Sequence, residues 1–420
     1  MNITSETSDK TYYVTETVNN VPQNPIKFTG TIYGLTRSMG FLAPPFADYA
    51  GATFNSFVPK VAGWTKITNE AEMAAIVNDG TAVDVNGNLN TQNKYYLGAS
   101  FSLPADWKGP TAWSGSVSAR EKSTNNQPNI ILEGCGFTIT TSKPIFPELP
   151  GGAVGNDGTH SVIRNLVIAG NITVDEVALA NTDEASYSAV NSYNNGRSVG
   201  ALVGKANGGI FENITNNANI TLNYQTNARV GGIIGSIFND DITMTNCVNN
   251  GKIMASVSGD KYGVGGIVGL IGYDSQDVNA KFINCTNNKE VRNNSIAESH
   301  VYAGGIVGVK YTDDTEAYII DCLNNGKVFA KTAYGSYYAN RLQQNIHVIK
   351  TTPISTAEEF MNISGKKAYS LTNDITITSC NTKDFKGFLV GNGHSVTTPD
   401  KLFENASESI IFNVVEVNSP

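Results

Sequence analysis

The sequence predicts an all-β fold, a parallel β-helix (β-solenoid) in which each repeat forms one coil. Three observations predict it. First, one phrase recurs: Val230-Gly231-Gly232-Ile233-Ile234-Gly235, Val264-Gly265-Gly266-Ile267-Val268-Gly269 and Ala303-Gly304-Gly305-Ile306-Val307-Gly308. Looser copies are Val199-Gly200-Ala201-Leu202-Val203-Gly204 and Gly151-Gly152-Ala153-Val154-Gly155, and the five copies are spaced by 49, 31, 34 and 39 residues. Such a period marks a solenoid or a propeller, and the varying length and small number of strand-like pieces exclude propeller blades. Second, a companion phrase recurs: Asn246-Cys247-Val248-Asn249-Asn250-Gly251-Lys252-Ile253, Asn284-Cys285-Thr286-Asn287-Asn288-Lys289-Glu290-Val291 and Asp321-Cys322-Leu323-Asn324-Asn325-Gly326-Lys327-Val328. Its two earlier copies begin at Asn165 and Asn213. Third, the repeats align into uniformly apolar columns. One holds Ile163, Phe211, Met244, Phe282 and Ile319; another holds Leu166, Ile214, Cys247, Cys285 and Cys322; a third holds Ile172, Ile220, Ile253, Val291 and Val328.

Stacked coils give those columns a physical meaning. Parallel strands about 4.8 Å apart place equivalent residues on one another, so an apolar column lines the interior. The first two columns are three residues apart, which breaks strict alternation. A bend at the residue before the Cys position restores it, and that residue is Asn165, Asn213, Asn246, Asn284 or Asp321, types that bond backbone groups at turns. The pairs Asn249-Asn250, Asn287-Asn288 and Asn324-Asn325 predict a second turn, where amides bond from coil to coil. The Gly pair predicts a tight corner or a close backbone approach. About three strand-like pieces per coil are expected.

Residues 1–63 carry no repeat. Thr11–Thr15 and Lys27–Tyr33 read as strands of a small N-terminal β segment or domain, and Phe41–Phe46 as a loop packed by aromatics. Residues 64–150 form a first flanking module. In it Thr68 or Asn69 caps a short helix with Glu70 and Glu72 in the first turn, followed by a strand at Tyr95–Leu103. Residues 151–349 hold the five repeats, with an excursion at Asp175–Asn195. Residues 350–420 repeat the flanking module, with a capped helix at Ile354–Phe360, a strand at Tyr369–Ile377 and a terminal half-coil at Ile411–Val415.

Composition bounds the partners. Only 16% of the 420 residues are charged, against about 25% in an average domain. The net charge is −8 and no basic run exists, so nucleic acid is not an expected partner. No apolar stretch approaches the roughly 20 residues of a membrane span. The start, Met1-Asn2-Ile3-Thr4-Ser5, lacks the basic and apolar regions of an export signal; if the protein is exported, this chain is a mature form. The five Cys contain no Cys-x-x-Cys pair, and three share a column with Ile and Leu, so they read as small apolar fillers. The four His are dispersed, and none pairs at metal-ligand spacing.

The two phrases together resemble the repeats of GLUG-motif proteins. The segment Leu389-Val390-Gly391-Asn392-Gly393-His394-Ser395-Val396, with Leu402-Phe403 and Ile411-Phe412-Asn413-Val414, is similar to a segment that often accompanies them. The resemblance covers roughly residues 64 to 415. It implies a right-handed parallel β-helix, a bacterial secreted or surface-attached location and an adhesin-like role. Some relatives carry a zinc peptidase; the His-Glu-x-x-His pattern is absent from this chain, so that activity is not implied.

The candidate site lies in the loops after the Gly phrase. Three coils place an aromatic before carboxylates there: Phe238 with Asp240 and Asp241, Tyr273 with Asp274 and Asp277, Tyr311 with Asp313 and Asp314. Stacked in register, they would form one stripe. Aromatic faces suit sugar rings, and carboxylates accept hydroxyl groups or hold calcium, for which Asp240, Asp274 and Asp313 are candidates. The same residues also read as ordinary solvated turns, which are rich in Asp. An enzymatic alternative is a polysaccharide hydrolase using two of these carboxylates, or a lyase using Arg197, Arg229 or Lys261, which precede successive Gly phrases in a ragged column. The expected function is therefore a non-enzymatic, monomeric surface or secreted β-helix. Its partner would be a host or microbial surface glycan or protein, and it would need no cofactor beyond possible calcium.

Overall fold

The computed structural model describes residues 64–76, 93–110, 130–149, 161–174, 197–238, 241–272, 278–312, 315–339, 345–399, 401–406, 409–412 and 414–418, with short strands within 2–29. The chain divides into two compact units, Met1–Ala317 with Cys322–Ile346, and Tyr318–Asp321 with His347–Pro420. Near the N-terminus Asn2–Glu6, Thr11–Thr15 and Ile26–Thr29 form an antiparallel three-stranded sheet. The loop expected at Phe41–Phe46, the first Gly phrase at 151–155 and the excursion at 175–195 lie outside the described residues.

The first unit is a parallel β-helix. One coil runs through Ile242–Thr245, Val248–Asn249, Ile253–Val257, Gly263–Gly265 and Val268–Ile271. That is five short strands, more than the three expected. The two-residue strands are too short to show alternation, and only stacking makes them strands. Each strand pairs in parallel with its counterparts in neighbouring coils. Ile163, Phe211, Met244 and Phe282 stack in one register column, and Ile172, Ile220, Ile253, Val291 and Val328 in another. From Ile172 to Val291 the second column is fully buried, each residue contributing about 1.5–3 kcal/mol by leaving water.

The bend before the Cys column is a left-handed backbone turn. Asn165, Asn213, Asn246, Asn284 and Asp321 have φ of 55, 54, 54, 53 and 51°. Asn tolerates this region because its side chain bonds locally, and here it also bonds along the stack. Asn246 Nδ2 donates to Asn213 Oδ1 at 3.1 Å, and Asn213 Nδ2 to Asn165 Oδ1 at 2.8 Å. Asn165 Nδ2 donates to Glu133 at 3.0 and 3.1 Å, so a carboxylate ends this ladder as its final acceptor. Glu133 also accepts from Cys135 N at 2.9 Å and pairs with Arg164 at 2.8 Å.

Burial raises the Glu133 carboxyl above its usual 4.5, against the opposing pull of Arg164, Cys135 N–H and the Asn165 amide. The folded state therefore holds the proton at a pH where the unfolded chain has lost it. Stability from this group is present below the unfolded value and declines as pH rises through the folded one. Glu133→Gln keeps an acceptor for Asn165 and is expected to flatten that decline. Thermal midpoints of the two proteins from about pH 4 to about pH 7 check this. Parallel slopes would refute it.

The Asn pairs form two further ladders, as expected. The inner one runs Asn216 to Asn249 to Asn287 to Asn324, each Nδ2 donating to the next Oδ1 at 2.8 Å. The outer one runs the other way. Asn250 donates to Asn217 at 3.0 Å, Asn288 to Asn250 at 2.9 Å and Asn325 to Asn288 at 2.8 Å.

The Gly phrase makes the opposite corner. Gly231, Gly265 and Gly304 face backbone of their own turn: an added Cβ would overlap the carbonyls of Ile234, Val268 and Val307 respectively. Gly232, Gly266 and Gly305 lie against the inner Asn ladder; a Cβ on Gly232 would be 2.7 Å from Asn249 Cγ, and on Gly266 2.6 Å from Asn287 Cγ. The last Gly of the phrase lets two sheets meet backbone to backbone, with a Cβ on Gly269 placed 2.5 Å from Val230 N. The two recurring phrases are thus two sides of one packing contact.

Both flanking modules carry the expected helix. In α1 (Glu70–Ala74) the Asn69 side chain accepts from Glu72 N; in α2 (Ala357–Met361) Thr356 and Glu359 form a reciprocal capping box. In the second unit, α2 follows the strand Thr352–Ile354, which stacks in parallel with Ala368–Leu371, Phe388–Val390 and Ile410–Phe412. Phe360, Phe385 and Phe403 pack at its centre, with ring centroids 5.0 Å apart for the last pair. Asn381 is fully buried and donates to the Phe360 and Ile363 carbonyls, which closes the end of α2.

Candidate functional site

The described members of the expected stripe do not stand out into solvent together. Phe238 is 4% exposed. The Lys205 ammonium lies 4.4 Å from its ring centre and the Arg229 guanidinium 5.4 Å away. It packs with Leu270, Tyr302 and Val309, and Tyr311 lies against the same cluster. Phe238 therefore presents no open face to a sugar. Asp241 is half-buried, and its carboxylate accepts from Asn279 N at 2.9 Å and Nδ2 at 3.1 Å, which holds the next coil in register. Asp240, Tyr273, Asp274, Asp277, Asp313 and Asp314 lie outside the described residues.

The structure instead joins two sets of residues that the sequence left apart. Arg229 enters from the strand Ala228–Gly231, and Phe238 directly follows the strand Ile234–Ile237. The Arg229 guanidinium is near both the Phe238 ring and the Tyr262 ring, the latter 5.2 Å away, and its Nε donates to the Lys261 carbonyl at 3.1 Å. Lys261 Nζ sits 4.8 Å from the Tyr311 ring centre. At the other end Lys205 is 3.5 Å from Glu148. Cations and rings thus form a seam across successive coils. Arg229 is 1% exposed and Lys205 6%, so this end of the seam is structural. Lys261, Tyr262 and Tyr311 are only half-buried and offer cationic and aromatic surface. Ragged sequence offsets hid this meeting. Arg197, the remaining basic candidate, pairs in register with Ala228 at the edge of its sheet.

One further polar group came from residues that sequence reading left scattered. His300 Nε2 is 3.2 Å from Asp260 Oδ1, and Ser299 Oγ is 2.8 Å from His300 Nδ1. His300 has φ of 58°, and its carbonyl accepts from Gly259 N at 2.9 Å. The group clips two neighbouring loops together. The signal was their separation by about one coil, invisible without the register.

The Cys column is an interior ladder. Cys247, Cys285 and Cys322 are buried free thiols, donating to the carbonyls of Phe211, Met244 and Phe282 at 3.5, 3.4 and 3.3 Å. Burial pushes the Cys247 thiol up, away from the nucleophilic thiolate. Among the described residues, no three His, Cys, Asp or Glu side chains gather as a metal-ligand set, and no helix is long and apolar enough to cross a membrane.

Fold and site define a parallel β-helix protein with a cation–aromatic seam across its coils. No family model and no curated protein matches the chain. Among solved structures it is similar to a Bacteroides ovatus protein provisionally named an immunoglobulin A1 protease. The identity is 16% and the TM-score 0.38, over 71% of this chain and 85% of that one.

Proposed function

We propose that this chain is a non-enzymatic, GLUG-type β-helix acting outside the cell as a binding or adhesion protein, with its ligand-facing edge at the loops after the Gly phrase. The observation that carries this reading is the half-buried end of the seam: Lys261, Tyr262 and Tyr311 next to Arg229. An ammonium over the Tyr311 ring, with the Tyr262 phenol beside Arg229, suits an acidic sugar. The rings cover the pyranose face, and the cation pairs with its carboxylate. The carboxylates of Asp240, Asp274 and Asp313 would add hydroxyl acceptors or a calcium ion beside it.

The test is a glycan array of neutral and acidic sugars, with and without calcium, on the parent protein and on Lys261→Ala and Tyr311→Ala. Retention of acidic glycans is expected, weakened about tenfold in each variant while the thermal midpoint stays within a few degrees. A parent protein that retains no glycan, or variants that bind as well as the parent, would sink the reading. Asp240→Ala, Asp274→Ala and Asp313→Ala are expected to abolish any calcium dependence.

A second reading, a polysaccharide lyase, is favoured by the same cluster. Elimination from a uronide needs a base and a cation on the carboxylate, which Tyr262 and Lys261 would supply. Release of unsaturated product from polyuronides decides between the two.

A further inference from the structure

We propose that the last coil of the first unit is a docking edge for an extended segment of another protein that carries this chain's own Asn-Asn pattern. The stack of the second and third strands ends at Leu323–Asn324 and Val328–Phe329. The interior opens there. Ile172, Ile220, Ile253 and Val291 are 0% exposed, whereas Val328, next in the column, is partly exposed. Asn216, Asn249 and Asn287 are likewise fully buried, and Asn324 is not. Leu323 is 50% exposed, and Asn325 and Lys327 are exposed as well.

The hydrogen-bond pattern says what fits this edge. Each inner Asn donates forward to the next coil, so Asn324 Nδ2, which bonds the Gly326 carbonyl at 3.0 Å, directs its other hydrogen at the position of a following coil. Each outer Asn donates backward, so the Asn325 oxygen faces the same position as an acceptor. The backbone repeats the pattern. Leu323 N and Asn325 N bond the Cys285 and Asn287 carbonyls, which turns the Asn324 carbonyl outward. Ile253 N and Val291 N donate forward to Glu290 and Lys327, which turns the Val328 N–H outward. The edge therefore offers two donors and two acceptors at fixed spacing beside exposed apolar surface. An unpaired strand edge recruits another strand. Here the side-chain amides select it: one Asn to accept from Asn324, the next to donate to Asn325, and a branched apolar residue four positions after the first Asn to cover Val328. Asn249, Asn250 and Ile253 stand in that relation on the Asn216, Asn217 and Ile220 coil.

The probe is a fluorescent peptide with the sequence of residues 245–257, titrated onto the full chain and followed by anisotropy, with hydrogen exchange at Val328 N–H as a second readout. Saturable binding and slowed exchange at Val328 are expected. A peptide with Leu at both Asn positions should bind at least about tenfold more weakly, and so should the parent peptide to Val328→Lys or, if that variant folds poorly, to Leu323→Lys. Absence of binding, equal binding of the two peptides, or unchanged exchange at Val328 would overturn the proposal. Self-association of the chain alone, dispersed by the peptide, would overturn the assignment to another protein and give the edge to a second copy.

Discussion

Gly265→Ala is expected to destabilise the first unit by about 4 kcal/mol or more, the cost of a severe core clash. One methyl group does this because nothing around it can rotate away. The added Cβ would overlap the Val268 carbonyl oxygen and sit 2.6 Å from Gly308 N. Both are backbone atoms of a corner already closed against its neighbour, so relief requires parting two coils. The control is Gly136→Ala. Gly136 has φ of 73° and nothing within 4 Å of its would-be Cβ, so the substitution costs only left-handed strain, about 1 kcal/mol. Urea midpoints of the two variants separate crowding from backbone preference. If Gly265→Ala loses no more stability than Gly136→Ala, the tight corner is not what the recurring glycines provide. The same test extends to Gly231 and Gly304, whose added Cβ would overlap the Ile234 and Val307 carbonyls.

Those glycines also show what a sequence can and cannot disclose. A period, an apolar column and a turn residue are properties of single positions repeated, and they were legible: the bend at the Asn position, the Cys filler and the Asn pairs each follow from one aligned column. The capped helices α1 and α2 were legible for the same reason, since an N-cap is local chemistry. Contacts between columns were not. That Gly232 abuts Asn249 depends on where two corners meet across the interior, and no spacing within one coil encodes it. The seam was hidden twice over. Arg229 sits nearer its Gly pair than Lys261 does, so they form no tidy column, yet long side chains reach one place from different offsets. Phe238, read as a loop aromatic facing solvent, is covered by Lys205 and Arg229; an aromatic before Asp looks the same in sequence whether buried or exposed.

Asn249→Leu should cost on the order of 3–5 kcal/mol, although it swaps a side chain for an apolar one of similar size in a fully buried position. The reason is the number of groups left behind. Asn249 Nδ2 donates to the Gly251 carbonyl and to Asn287 Oδ1, both at 2.8 Å, while its Oδ1 accepts from Asn216 Nδ2 and from Gly251 N at 3.2 Å. Leucine strands all four partners, and none of them can reach water. The outer ladder provides the comparison. Asn250 makes the same coil-to-coil bonds, to Asn217 at 3.0 Å and from Asn288 at 2.9 Å, but Asn217 is exposed and solvent replaces what is lost. Asn250→Leu is therefore expected to cost about 1 kcal/mol. Urea unfolding of the two variants reads the difference directly. Equal losses would mean the amide ladders act through turn conformation alone. A large excess at Asn249 would show that a polar interior column, and not only the apolar ones, holds these coils in register.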